Sequence, residues 1–104
     1  MHTYMKNILS DLKNVDERWA AIGLGEVNGS PVSARVMENV EADLHTHEKA
    51  DEFFLVLSGK VFIDTEYEAI ELNEGQSHTV KSGTKHRARA VGRAELIVVG
   101  GQDA

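Results

Sequence analysis

The chain contains no cysteine, which removes disulfides, thiolate nucleophiles and zinc–thiolate sites together. Any metal it holds must sit on nitrogen and oxygen ligands. Lysine and arginine are scarce, 11 against 17 aspartate and glutamate, for a formal net charge of −6. Nucleic-acid phosphates and anionic membranes are both gripped by clustered positive charge, so the balance predicts neither as a partner. A small-molecule ligand or substrate, or a protein partner, fits better. No apolar run approaches the roughly 20 residues of a membrane span. Met1 to Leu12 mixes His, Lys, Asn and Asp with scattered apolar residues and lacks the continuous apolar stretch of a secretory leader. The expected location is cytoplasmic. Proline occurs once, at Pro31 after Asn28-Gly29-Ser30, where a turn or a strand start tolerates its missing N–H.

What the sequence has is β rhythm. At 104 residues, one core is expected, with no linker and no second domain. From Val32 onward, short β-rich runs recur: VSARVME, VEADLH, EFFLVLSG, KVFIDTEY, EAIEL, HTV, HRARAV and AELIVVG. Turn signals separate them at Ser58-Gly59, Asn73-Glu74-Gly75, Ser82-Gly83 and Gly92. Before Pro31, a turn or two of helix is expected within Asn7 to Val15, and an edge strand carrying Trp19 and Ile22 within Arg18 to Val27. The run from Glu52 to Leu57 is apolar on both faces, with Phe54 and Val56 on the side of Glu52 and Phe53, Leu55 and Leu57 on the other. The interior covers the first face. The second needs another sheet, the N-terminal segment or another subunit, and on this ground a homodimer is expected.

The residues that carry chemistry are histidines and one glutamate. His45 and His47 are one residue apart, so extended backbone sends both imidazoles to the same face. Glu52 opens the next apolar strand and can return opposite them, and His86 opens HRARAV after the Gly83 turn. Any single histidine is more often a surface or hydrogen-bonded residue, as expected for His2 and His78. The pair, the carboxylate and the third histidine together point to a site for one divalent transition metal ion: zinc, iron, manganese, nickel or cobalt. Four protein ligands on an octahedral ion leave two positions for water, substrate or dioxygen.

These residues resemble the cupin superfamily. Its first motif reads Gly, five residues, His-x-His, three or four residues, Glu, six residues, Gly; here it runs from His45 through His47 and Glu52 to Gly59. Its second motif reads Gly, five residues, Pro-x-Gly, two residues, His, three residues, Asn, and the matching positions are Gly75, Gly83 and His86. Asn39 replaces the first glycine, Lys81 the proline and Ala90 the asparagine. The 15 residues from Lys60 to Glu74 form a short interval between the motifs. The opening segment is similar to that of small cupins often labelled mannose-6-phosphate isomerase-like. The resemblance implies an all-β fold: a single-domain double-stranded β-helix (jelly-roll) barrel over residues 31–104, with an N-terminal segment, residues 1–30, packed on the barrel or on a dimer partner. It also implies His45, His47, Glu52 and His86 as metal ligands. Fold alone assigns no activity.

Around the site, strand parity sends Phe54, Val56, Ala88 and Ala90 inward, with Thr79 or His78 entering from the preceding strand. An inward arginine would point to a carboxylate or phosphate substrate; Arg87 and Arg89 have the opposite parity and are expected outside, and Arg35, whose parity is not assignable across the intervening turn, is the one candidate exception. Asp51 and Glu48 read as a charged exposed loop, with imidazole orientation or general-base chemistry as the alternative. Trp19 and Tyr67 read as packing residues. Three functions compete: a metal-dependent oxygenase or isomerase acting on a small organic molecule, a non-catalytic module in which metal or ligand stabilises the barrel or reports on its concentration, and a protein-interaction scaffold that binds no metal.

Overall fold

The computed structural model describes residues 5–101. It contains one short helix, α1 (Ile8–Lys13), and seven strands: β1 (Trp19–Val27), β2 (Ser30–Glu41), β3 (Glu52–Ser58), β4 (Val61–Thr65), β5 (Ala69–Leu72), β6 (Ser77–Val80) and β7 (His86–Gly100). Six residues of helix have too few internal hydrogen bonds to persist alone. α1 is held by Leu12, fully buried against Ala34 and Val36 of β2, with Ile8, Val15, Ile22, Leu57 and Ile97 around it. β1 is an edge strand paired only with β2, as expected from Trp19 and Ile22.

β2 and β7 form the spine. β7 pairs with β2 along most of its length; its first half also pairs with β4, and its second half with β3. β5 extends the β4 side and β6 the β3 side. The result is a jelly roll whose two layers share a bent pair of long strands. The ladder does not close, since β5 pairs only with β4 and β6 only with β3; the expected barrel is an open one.

The turn expected at Gly92 is absent. The runs split at Asn39 and at Gly92 are each one continuous strand, β2 and β7, and the register shifts between Glu38 and Val40. Asn39 (φ 50°) and Gly92 (φ 77°) both adopt left-handed backbone, and the Asn39 side-chain oxygen accepts the Gly92 N–H at 2.7 Å. The pair makes a β-bulge, which bends the strands from one layer into the next. Glycine at 92 signalled positive φ correctly, but it serves a bulge. Asn39 takes the place of the family's first glycine because asparagine also tolerates this conformation.

Strand β3 alternates as its sequence dictates. Glu52, Phe54 and Val56 are buried inside with Val61, Ile63, Leu96 and Val98, while Leu57 on the other face meets the α1 cluster. Gly59 (φ 78°) then turns the chain so close to the Arg93 carbonyl oxygen that no Cβ fits. No helix among the described residues is long and apolar enough to cross a membrane.

Candidate metal centre

Four side chains converge at one end of the jelly roll. His86 begins β7 and Glu52 begins β3, both buried. His45 and His47 lie outside regular strand, on the segment after β2. A single bridge fixes them: the His45 N–H donates to the His86 carbonyl, the His86 N–H donates back, both at 2.9 Å, and the Gly83 N–H donates to the His47 carbonyl at 2.8 Å. The alternation that directs both imidazoles inward thus survives although the strand does not continue.

Glu52 Oε1 lies 2.8 Å from His86 Nε2, 3.5 Å from His47 Nε2 and 4.0 Å from His45 Nε2. One ligand atom from each residue lies within 4.8 Å of all the others. Side-chain exposure grades from 1% at His86 and 7% at Glu52 to 17% at His47 and 37% at His45, so the cluster has a buried floor and an open side. The imidazoles are oriented from behind. His45 Nδ1 donates to the Asp43 carbonyl at 2.7 Å and His86 Nδ1 to the Thr84 carbonyl at 2.8 Å, which leaves each Nε2 facing the cluster. This backing is the arrangement that fixes metal-binding histidines. Burial pulls the His86 pKa down, but hydrogen bonds to Glu52 and to the Thr84 carbonyl outweigh it, and the net shift is upward.

The donor set fits a divalent transition metal. Three imidazole nitrogens and one carboxylate oxygen suit an ion of borderline hardness. Gly101 completes the floor: an added Cβ there would collide with the Glu52 carboxylate, and its φ of 75° favours glycine. The sequence signalled Gly101 only as a glycine after an apolar strand.

Beside the cluster lies a cavity of about 240 Å³, lined by Met37, Phe54, Ala88, Leu96 and Val98, with Arg35 and Trp19 among its polar and aromatic residues. Phe54 and Ala88 were expected here by parity; Ala90 is buried in the core and does not line it. His78 and Thr79 do not line it either. Arg35 does: β2 faces Arg35 and Met37 to the interior, and after the Asn39 bulge Val40 and Ala42 take over. The bulge changes the parity, which the residue spacing alone did not reveal. Trp19 is a correction. It is 48% exposed and lines the cavity, and Tyr67 is 92% exposed, so neither is a packing residue among the described residues.

Asp51 works on the loop and leaves the imidazoles alone. Its carboxylate accepts the Ser82 N–H at 2.9 Å and meets Lys81 Nζ at 3.4 Å, where the family has its proline. The Ser82 hydrogen bond holds its pKa below the usual value against a small opposing effect of burial, helped by Lys81. Glu48 is exposed. Arg87 and Arg89 face outward and share Asp64, with Arg89 also lying over the Phe62 ring at 4.3 Å. His2 lies outside the described residues.

The jelly roll with a His-His-Glu-His cluster at one end defines the class, a small β-domain whose site has the donor set for a metal ion. The chain belongs to the cupin domain family, whose model matches residues 33–100. It is 34% identical over 96 residues, covering 91% of this chain and 84% of the relative, to the uncharacterized protein YdbB of Bacillus subtilis (strain 168). Its fold is similar to that of a cupin-2 domain protein from Shewanella frigidimarina, with a TM-score of 0.85 at 21% identity over 96% of this chain and 97% of that one. A cupin superfamily protein from Desulfitobacterium hafniense gives 0.80 at 14% identity over 96% and 92%.

Proposed function

We propose that His45, His47, Glu52 and His86 hold one divalent transition metal ion and that the protein acts there on a small organic molecule, as an oxygenase or an isomerase. The observation that carries this reading is the convergence of three imidazole Nε2 atoms on a single oxygen of a buried carboxylate. A structural barrel gains little from enclosing four such groups, since apolar residues of similar volume would stabilise it at least as well. The open side at His45 and the adjoining cavity leave room for a substrate. When bound, the metal supplies Lewis acidity, or a binding place for dioxygen, at the cavity wall. The chain's own contribution is to orient the imidazoles through the Asp43 and Thr84 carbonyls, to fix Glu52 against Gly101, and to exclude water with Phe54, Leu96 and Val98.

Elemental analysis of protein purified without a metal column tests the proposal. Near-stoichiometric iron, manganese, nickel, cobalt or zinc in the parent, and its loss from a folded His47→Ala variant, is the expected result. A parent that contains no metal and takes up none from any of these salts contradicts it. The exposed apolar residues Leu9 and Val27 on α1 and β1 support a homodimer as the working state, which sedimentation analysis checks.

A further inference from the structure

The five arginines divide into four and one. Arg87 and Arg89 are bound to Asp64. Arg93 donates to the Leu12 and Val15 carbonyls and meets Glu38 and Glu95, and Arg18 donates to the Glu38 and Asn39 carbonyls. Arg35 alone has no carboxylate or carbonyl acceptor among the described residues; its one hydrogen bond runs from Nε to the neutral Ser33 hydroxyl at 3.2 Å. It is also the arginine that lines the cavity beside the metal cluster. A half-buried guanidinium facing a largely apolar cavity is poorly solvated, and its planar fork matches a carboxylate.

We infer that Arg35 is the substrate-recognition residue and that the cavity takes a small monocarboxylate, with its carboxylate on Arg35, its carbon skeleton against Trp19 and its remaining polar atoms toward the His-Glu cluster. Size and charge both narrow the class. About 240 Å³ is the space of about eight waters at ~30 Å³ each, so the ligand is small. Arg35 is the one permanent cation of the lining and Glu52 its one carboxylate. Among the side chains of the lining, a single negative charge is matched by Arg35, whereas the second charge of a phosphate dianion would meet no further lysine or arginine. The guanidinium also fixes which end of the ligand turns away from the cluster, so Arg35 sets orientation as well as affinity. The assignment rests on the reading of the cluster as the reactive centre, but the carboxylate contact stands without metal.

Trp19 is the only tryptophan of the chain and lines the same cavity, so its fluorescence reports occupancy directly. The test titrates the protein as purified with acetate, lactate and butyrate, and in parallel with acetamide, lactamide and butyramide, which keep the shape and lose the charge. The carboxylates are expected to change the Trp19 emission saturably and the amides to do so at least tenfold more weakly. Arg35→Gln is expected to weaken carboxylate binding tenfold or more at unchanged metal content, and Arg35→Lys to restore part of it. Equal binding of acids and amides, no response to any of the acids, tighter binding of inorganic phosphate, or an Arg35→Gln variant that binds carboxylates like the parent overturns the inference. Should Arg35→Gln fail to fold, Arg35→Lys and the acid–amide comparison on the parent still decide. Carboxylate binding that depends on Arg35 in a protein that takes up no metal would instead sink the metal reading and leave this one standing.

Discussion

His86 Nε2 and Glu52 Oε1 meet at 2.8 Å in the buried floor of the site, 34 residues apart in sequence, each at the first position of its strand. Glu52 pairs through its backbone with Gly100 at the far end of β7, and the contact ties it also to the start of that strand, so it serves the fold as well as the ligand set. Glu52→Gln keeps the shape and removes the charge. It should abolish metal uptake and lower stability by about 1–3 kcal/mol, the range for loss of a buried charge-assisted hydrogen bond. Chemical denaturation of metal-free parent and variant measures the second effect apart from the first.

Gly101 makes a sharper prediction because it touches no ligand except Glu52. In Gly101→Ala the new methyl must displace the carboxylate, and the left-handed φ of 75° adds backbone strain of about 1 kcal/mol. Metal affinity should fall at least tenfold while the circular dichroism spectrum stays that of the parent. An affinity equal to the parent's would show that Glu52 is not held by this contact.

Asp64 gives the acid limit of stability. Hydrogen bonds from Arg89 and Arg87 outweigh the cost of burial and hold its pKa at about 2, below the ordinary 3.8. A carboxylate depressed in the folded state stabilises it above the unfolded value, and that contribution disappears as pH falls from about 4 to about 2. Both arginines are partly exposed, so solvent screening reduces the contribution to roughly 1 kcal/mol. Asp64→Asn should lose this much at pH 7, and its stability should fall less steeply than the parent's between pH 4 and 2 in parallel denaturation curves.

Asn39 is predicted to be replaceable by glycine alone at little cost. Asn39→Gly keeps the left-handed bulge and loses the hydrogen bond to Gly92, for about 1 kcal/mol. Asn39→Val loses the bond and forces a β-branched residue to positive φ, for about 2–3 kcal/mol. Thermal unfolding of the two variants gives the order directly.

The same bulge marks where the sequence stopped being legible. All four candidate ligands were readable because their side chains are placed by spacing over a few residues: two histidines one apart, a glutamate opening an apolar strand, and a histidine after a glycine turn. Phe54, Val56 and Ala88 followed from alternation within one strand. Arg35 did not, because the bulge at Asn39 changes which residues of β2 face inward, and a bulge is decided by pairing with β7 some 50 residues away. Gly92 carried the right local signal, positive φ, but whether such a residue turns a hairpin or bends a strand depends on the partner. Trp19 was misread for a related reason. Its apolar ring suggested burial, while its place at the start of an edge strand leaves it half exposed at the cavity.

A cobalt(II) titration of chelator-treated protein, followed by visible absorption, asks whether three imidazoles and Glu52 bind one metal ion together. Ligand-field bands should saturate at one equivalent per chain and be lost or strongly changed in folded His47→Ala. No bands, or bands that His47→Ala leaves unchanged, would contradict their joint binding of one ion.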